Sequence, residues 1–113
     1  MMFQIPMDTQ MNPDTTHTHF DFSQAELVSQ CLKVLSNPVR LKILCVLANA
    51  ELNVQQIEAM TDIHQPTLSQ QLTILRNHHM VTTRRDGKQI FYQIHDDKVL
   101  TLMQTLHQLY CQA

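Results

Sequence analysis

The chain has 113 residues, a formal net charge of −2, one glycine and three cysteines. This length predicts one domain with a small core, which favours a dimer that buries additional apolar surface. No apolar run approaches the roughly 20 residues needed to cross a bilayer, and the N-terminus lacks the basic and apolar regions of a signal peptide. We therefore expect a cytoplasmic protein with no membrane partner, in which three cysteines do not form a disulfide framework.

The first 22 residues differ from the rest because they show no sustained apolar period. They predict a flexible N-terminal tail (1–22) ahead of a single folded domain (23–113). His17 and His19 lie two residues apart in this tail. A mobile pair of ligands holds metal poorly, so we interpret them as solvated histidines.

Three helices are predicted in the first half of the domain, and caps and prolines mark their boundaries. The second is apolar on most sides, as expected of a central core helix. The third is short and should turn Val54, Ile57 and Met60 inward. The predicted spans are Ser23–Ser36 with a capping box at Ser23 and Glu26, Val39–Ala48 opened by Pro38, and Val54–Met60 capped by Asn53.

The segment His64–His79 predicts a fourth, amphipathic helix, with Pro66 in its first turn and Leu68, Leu72 and Leu75 as a narrow apolar stripe. Its polar faces carry Gln, Ser and Thr where an ordinary solvated face would carry more Glu and Lys. Such side chains suit base edges and phosphate oxygens, although the segment alone also fits a polar surface helix. The predicted DNA-binding residues here are Gln65, Thr67, Ser69, Gln70, Thr73 and Arg76.

A β-hairpin is predicted next, because Asp86-Gly87 separates the β-prone runs Met80–Arg85 and Gln89–Ile94. The one glycine stands where a positive φ is needed. Four of the eight Lys and Arg residues lie between positions 76 and 88, so a basic patch is possible on an acidic protein. A solvated tip would explain one or two of these charges. Three suggest contact with phosphate or the minor groove, and they are Arg84, Arg85 and Lys88.

The segment Asp97–Cys111 predicts a last helix with an apolar seam along one side. Such a seam packs on the chain's own core or pairs with a second copy. We favour pairing because a small core leaves apolar surface to cover. The predicted dimer-interface residues are Val99, Leu102, Met103, Leu106, Leu109 and Tyr110.

Taken in order, these elements predict a mainly α winged helix-turn-helix of four helices, two strands and a fifth helix, with a homodimer formed through the first and last helices. Three segments resemble the ArsR family of small bacterial repressors over about residues 24–111. The resemblance implies a dimer that binds double-stranded operator DNA and leaves it when an inducer binds or reacts. The segments are LSNPVRLKIL (35–44), PTLSQQLTILR (66–76) and VTTRRDGKQIFYQI (81–94).

Many members of that family sense metals, but their ligand patterns are incomplete in this chain. Asn53 and Gln55 stand where arsenic- and cadmium-type members carry thiolates, and amides cannot replace soft ligands. The zinc-type pattern retains His107 and is left incomplete by Ile94, Asp96 and Tyr110. We therefore predict no metal site and no cofactor.

Two cysteines, Cys45 in the core helix and Cys111 at the end of the last helix, resemble the pair found in the BigR/SqrR-type branch, which responds to persulfide and sulfide. The resemblance implies that reactive sulfur species join these thiols through a disulfide or a longer polysulfide and that DNA is then released. From the residues alone, Cys45 is equally a small buried hydrophobe. His107 lies one turn before Cys111 and either activates it or is a surface residue. Cys31 is interpreted as structural.

Alternatives from other functional classes stay open at this point. One is an ArsR-type metal-responsive repressor that uses a non-standard Cys/His site, and another is a helical interaction module that does not bind DNA. An enzyme is not expected, and no catalytic residue is predicted, because the sequence contains no Cys-x-x-Cys, Gly-rich or nucleophile-elbow motif.

Overall fold

The structure is a computed structural model that describes residues 22–111, so the predicted tail, including His17 and His19, lies outside the described residues except at Phe22. The chain divides into two units, residues 1–30 and 31–113, and the hydrophobic core lies in the second. No helix among the described residues is long and apolar enough to span a membrane.

The elements follow the predicted order with one addition. The mainly helical winged helix-turn-helix is confirmed, and a short strand precedes the third helix. In chain order the elements are a 3-10 turn at Phe22–Gln24, α1 (Ala25–Leu35), α2 (Pro38–Leu47), β1 (Leu52–Asn53), α3 (Val54–Thr61), α4 (Thr67–Asn77), β2 (Val81–Asp86), β3 (Gln89–Ile94) and α5 (Asp97–Tyr110).

Side-chain caps start α2 and α3. The Asn37 side chain accepts hydrogen bonds from the backbone N–H groups of Val39 and Arg40 at 2.9 and 3.1 Å. Asn53 caps α3, as predicted, and forms a full capping box with Gln56. A cap of this kind contributes about 1 kcal/mol to helix stability, so both boundaries are determined locally.

The α4 helix is shorter than the predicted segment His64–His79, because it begins at Thr67 and ends at Asn77. Pro66 occupies the N-cap position and is not inside the first turn. A residue that precedes a proline is disfavoured in helical geometry, which keeps Gln65 and the residues before it out of the helix. At the other end, the positive φ of 60° at His79 stops the helix.

The sheet has three antiparallel strands in the order β1-β3-β2. The hairpin runs from the Val81–Ile94 pair to the Asp86–Gln89 pair, with Gly87 at φ 66° in the turn, as predicted. The sequence analysis missed β1, which pairs Leu52 with Tyr92. Two residues are too short to show the alternating pattern of a strand, so this pairing is visible only in three dimensions.

Seven fully buried side chains form the centre of the core, and they come from α2, α3, α4 and α5. The predicted apolar stripe of α4 is confirmed, because all three of its leucines belong to this set. The seven are Ile43, Leu44, Ile57, Leu68, Leu72, Leu75 and Met103.

The prediction that Met60 faces inward is wrong, because this residue is 59% exposed. Helix α3 instead buries Ile57 and Thr61, which are four residues apart and therefore share one face. The Thr61 hydroxyl donates a hydrogen bond to the Ile57 carbonyl at 2.7 Å and accepts one from the Ile63 N–H at 3.2 Å, which satisfies this buried polar group.

The predicted apolar seam of α5 is divided. Val99 and Met103 are buried in the chain's own core, so they are unavailable for the dimer contact predicted for them. Leu102 and Leu106 pack against that core with part of their surface. A helical period of 3.6 turns the seam gradually away from the core, which leaves the last apolar residues, Leu109 and Tyr110, 69% and 81% exposed.

Candidate nucleic-acid interface and thiol pair

The exposed face of α4 carries the polar residues that the sequence analysis selected. Two of them also hydrogen-bond to the helix backbone: the Gln65 side-chain oxygen accepts from the Ser69 N–H at 3.0 Å, and the Thr73 hydroxyl donates to the Ser69 carbonyl at 2.9 Å. These bonds hold the face in a defined geometry above the buried leucines. The exposed residues are Gln65, Thr67, Ser69, Gln70, Thr73 and Arg76.

A link between α2 and α4 that the sequence analysis missed orients this face. The Arg40 Nη1 in α2 donates to the Gln71 side-chain oxygen in α4 at 3.0 Å, and its Nε donates to the Val34 carbonyl at 2.7 Å. One guanidinium therefore joins the last turn of α1 to the candidate recognition helix. No local pattern could have revealed this bond, because its partners are 31 residues apart.

The turn between α3 and α4 is braced by His64, which lies between two carboxylates. His64 Nδ1 lies 2.8 Å from a Glu58 carboxylate oxygen, and Nε2 lies 3.0 Å from an Asp62 carboxylate oxygen. The hydrogen bond to Glu58, followed by the negative charge of Asp62, raises the pKa of His64 above its usual value. Only the doubly protonated ring donates at both nitrogens, so the protonated form is the one that holds the turn.

The three basic residues of the hairpin have different surroundings. Arg84 Nε donates to both carboxylate oxygens of Glu51, at 3.0 and 2.9 Å, and its guanidinium carbon lies 4.9 Å from the centre of the Phe91 ring. The Arg85 side chain donates to the Gly87 carbonyl at 3.3 Å, and Lys88 is exposed in the turn. The predicted basic tip is therefore divided between an internal ion pair and two outer cations.

Cys45 lies in α2 and Cys111 follows α5, and these two helices pack against each other in the second unit. Cys45 is half-buried, and Cys111, immediately after α5, is exposed. Burial raises the pKa of the Cys45 thiol, and the negative charge of Cys111 raises it further. Because Cys111 is exposed whereas Cys45 is half-buried, Cys111 is the more accessible first nucleophile.

A small cavity of about 70 Å³ lies beside Cys45. A cavity of this size can accommodate an added sulfur atom, since a water molecule occupies about 30 Å³. His107 reaches the same cavity from the last turn of α5, and its carbonyl accepts a hydrogen bond from the Cys111 N–H at 2.9 Å. The lining residues are Cys45, Ala48, Asn49, Met103, Gln104 and His107.

The third thiol, Cys31, packs against the core of the second unit. Burial and then the negative charge of Asp96 raise its pKa. Both effects disfavour the reactive thiolate. Because the pKa of Cys45 is raised in the same way, the structural interpretation of Cys31 stays a prediction.

Residues 22–111 contain no group of three or more His, Cys, Asp or Glu side chains arranged to hold a metal ion. A metal-responsive site built on Cys45, Cys111 and His107 would therefore need ligands from elsewhere. The candidates named for it, His17 and His19, lie outside the described residues.

Residues 37–83 match the family described as "Bacterial regulatory protein, arsR family". The biofilm growth-associated repressor of Agrobacterium fabrum is 47% identical over 88 residues, which cover 78% of this chain and 75% of the relative. The crystal structure of the transcriptional repressor BigR from Xylella fastidiosa matches with a TM-score of 0.75 and 39% identity, over 91% of this chain and all of that one. A homodimeric winged helix-turn-helix DNA-binding domain from Mycobacterium bovis matches with a TM-score of 0.67 and 31% identity, over 81% and 87% of the two chains.

Proposed function

Because the chain belongs to the arsR family of bacterial regulatory proteins, we propose that it is a transcriptional repressor whose homodimer binds double-stranded operator DNA and releases it when persulfide links Cys45 to Cys111. The observation that supports the proposal is that α2, which carries Cys45, packs against α5, which Cys111 follows, and that a small cavity lined by Cys45 and His107 lies there. The repressors from Agrobacterium and Xylella support the regulatory assignment.

The exposed face of α4 supports reading of the major groove. Ser69, Gln70 and Arg76 present donors and acceptors on a helix whose opposite side is anchored in the core, and such side chains match base edges and phosphates. In a homodimer, two copies of α4 would enter successive major grooves about 34 Å apart. The wing would add contacts to the backbone or minor groove.

The dimer is proposed on the exposed end of α5. Leu109 and Tyr110 leave apolar surface uncovered at the same end as Cys111, which a second copy could cover. The homodimeric domain from Mycobacterium supports a dimer, although not its location. A link between α2 and α5 would then act on the helix that joins the two subunits.

The thiol chemistry balances with a persulfide, R–S–SH, as the only oxidant. The Cys111 thiolate attacks the terminal sulfur, the S–S bond breaks, and RS⁻ leaves and takes up a proton. The Cys45 thiolate then attacks Sγ of the Cys111 persulfide and expels HS⁻, which also takes up a proton. Two thiols are thereby oxidised to a disulfide while the persulfide is reduced to RSH and H₂S.

A longer product follows if both thiols are converted to persulfides. The terminal sulfur of the Cys45 persulfide attacks Sγ of the Cys111 persulfide, HS⁻ leaves, and a trisulfide remains. The cavity beside Cys45 offers room for this additional atom.

The crosslink can reach the DNA-reading face through α2. This helix carries Cys45, and it also carries Arg40, whose guanidinium bonds to Gln71 of α4. A change in the position of α2 relative to α5 would therefore alter the support of α4. Interfaces with two discrete packings convert small shifts of this kind into different domain orientations.

The proposal is tested by treating the reduced protein anaerobically with a persulfide donor and measuring intact mass, peptide maps and DNA release on the same samples. We expect a Cys45–Cys111 crosslink, with or without additional sulfur, whose yield follows the loss of DNA binding. Unmodified thiols, or a crosslink that requires Cys31, would contradict the proposal. Stoichiometric Zn²⁺ or Cu⁺ that removes the protein from DNA without thiol oxidation would support the metal-responsive alternative.

A further inference from the structure

Arg84 and Arg85 are neighbours in β2, but they point to opposite faces of the hairpin. Successive side chains of a strand alternate between its faces, and directly paired residues share a face. Arg84 is paired with Phe91, and Arg85 is paired with Ile90. A DNA surface that approaches one face of the wing therefore cannot meet both guanidinium groups in the same way.

The face that carries Arg84 is turned toward the chain itself. Its Nε and Nη2 engage both carboxylate oxygens of Glu51 at 2.9–3.0 Å, while the guanidinium plane lies over the Phe91 ring. A forked pair combined with ring stacking fixes the orientation of an arginine more tightly than a single contact between charges. A DNA phosphate would have to displace the carboxylate and disturb the stacking before it could bind Arg84.

The segment that supplies Glu51 also holds the wing against the helix-turn-helix. Glu51 immediately precedes β1, which pairs with β3 of the hairpin. Asn53, two residues after Glu51, caps α3. Its side chain also donates a hydrogen bond to the Gln89 side chain at the start of β3. Three consecutive residues, 51–53, therefore connect both strands of the wing to the first residue of α3.

We infer that Arg84 is a positioning residue that sets the wing against the helix-turn-helix through Glu51 and Phe91, and that Arg85 and Lys88 make the contacts of the wing with DNA phosphates. This inference rests on the proposed DNA binding. It assigns to Arg84 a role different from the direct DNA contact expected from the sequence. Of the two outer cations, Arg85 lies on the opposite face, and Lys88 lies in the exposed turn.

The test compares the salt dependence of DNA binding among four variants of the full chain: Arg84→Gln, Arg84→Lys, Arg85→Gln and Arg85→Lys. The probe is a short labelled duplex selected from a random pool by the reduced wild-type protein, and binding is followed by fluorescence anisotropy. The slope of log K against log salt concentration is negative, and its magnitude grows by about 0.9 for each DNA phosphate that the protein neutralises. Thermal melts of each variant report whether the fold is retained.

We expect Arg84→Gln and Arg84→Lys to weaken binding about three-fold to ten-fold with an unchanged slope, because lysine keeps the charge but cannot form the fork. Arg85→Gln should make this slope shallower by about 0.9, which corresponds to one lost phosphate contact, and Arg85→Lys should restore the wild-type slope. Glu51→Gln should weaken binding by a similar factor, and the Glu51→Gln/Arg84→Gln double variant should be no weaker than either single one.

If Arg84→Gln makes the slope shallower and Arg84→Lys restores it, Arg84 is a phosphate contact and the inference is overturned. Unchanged affinity and slope in both Arg84 variants would overturn it as well. If the wild-type protein selects no duplex and binds none in a salt-dependent manner, the proposed function fails, and the positioning role fails with it. The wild-type measurement therefore separates the two failures.

Discussion

The proposed DNA-reading region (the exposed face of α4, the turn before it and the wing) and the proposed thiol region (Cys45, Cys111 and the cavity lined by Cys45) are built in different ways. In the first, polar side chains of α4, the preceding turn and the wing are held by hydrogen bonds and ion pairs, and fully buried leucines lie beneath the helix. In the second, Cys45 of α2 lines a cavity of about 70 Å³ that His107 of α5 also reaches, and Cys111 follows α5. The comparison teaches that the reading surface is constrained, whereas the proposed switch lies where packing leaves room for a chemical change.

The largest expected effect is on the thiol region. Cys45→Ser and Cys111→Ser should bind DNA with nearly the affinity of the reduced wild-type protein and should not be released by persulfide, because a hydroxyl cannot form the crosslink. Fluorescence anisotropy across a persulfide titration measures the response. Cys31→Ser is the matched control and should respond like the wild type. Release of either of the first two variants at the wild-type dose would contradict the paired-thiol mechanism.

Stability measurements test the packing difference between the two regions. Leu72→Ala should lower the free energy of unfolding by about 3–4 kcal/mol, because it removes a buried side chain from beneath the reading face. Met103→Ala should cost less, about 2 kcal/mol, because Met103 already borders a cavity. Urea denaturation of the reduced proteins measures both values. A larger loss for Met103→Ala would show that the thiol region is packed as tightly as the other.

The dimer proposal is tested at the exposed end of α5. Leu109→Glu should weaken the dimer at least ten-fold, because it would place a carboxylate in an apolar contact. Sedimentation velocity over a range of concentrations measures the change. Gln108→Glu adds the same charge one residue earlier and should leave the oligomeric state unaltered. Equal behaviour of the two variants would move the dimer contact away from this end of the helix.

The smallest effect concerns His64 in the turn before α4. The pKa of His64 is raised in the folded state, mainly by its hydrogen bond to Glu58. Its stabilisation should therefore be complete below the unfolded value of about 6.5 and should disappear as the pH rises through the folded pKa. The melting temperature of His64→Gln should fall below that of the wild type at about pH 5.5, and the difference should narrow at about pH 8.5.

His78→Gln, which removes an imidazole just after α4, controls for the loss of a ring. High salt should also reduce the His64 difference, since the group is exposed. A stabilisation by His64 that grows toward alkaline pH would contradict the proposed role of its protonated form.

The candidate site was predictable where its signals are local. The polar face of α4 followed from residue types at helical spacing, and the hairpin followed from Asp86-Gly87 between two β-prone runs. The Arg40–Gln71 bond was not predictable, because it joins residues 31 positions apart that share no motif. The Glu51–Arg84 pair spans 33 positions, and the sequence analysis had grouped Arg84 with two cations that the structure separates from it.

Local chemistry in the sequence by itself determined five helices, the Asn53 cap, the wing and the winged helix-turn-helix order. The spacing of apolar residues, the prolines, the Asn53 cap and the single glycine each set the backbone conformation of residues close to them in the chain. Tertiary structure alone decided that Met60 faces outward, that α5 buries Val99 and Met103 but leaves its end exposed, and that the helix carrying Cys45 packs against α5. These outcomes depend on how helices that are distant in the chain share one small core. The core has room for a limited number of side chains, so burying one helix face leaves another exposed.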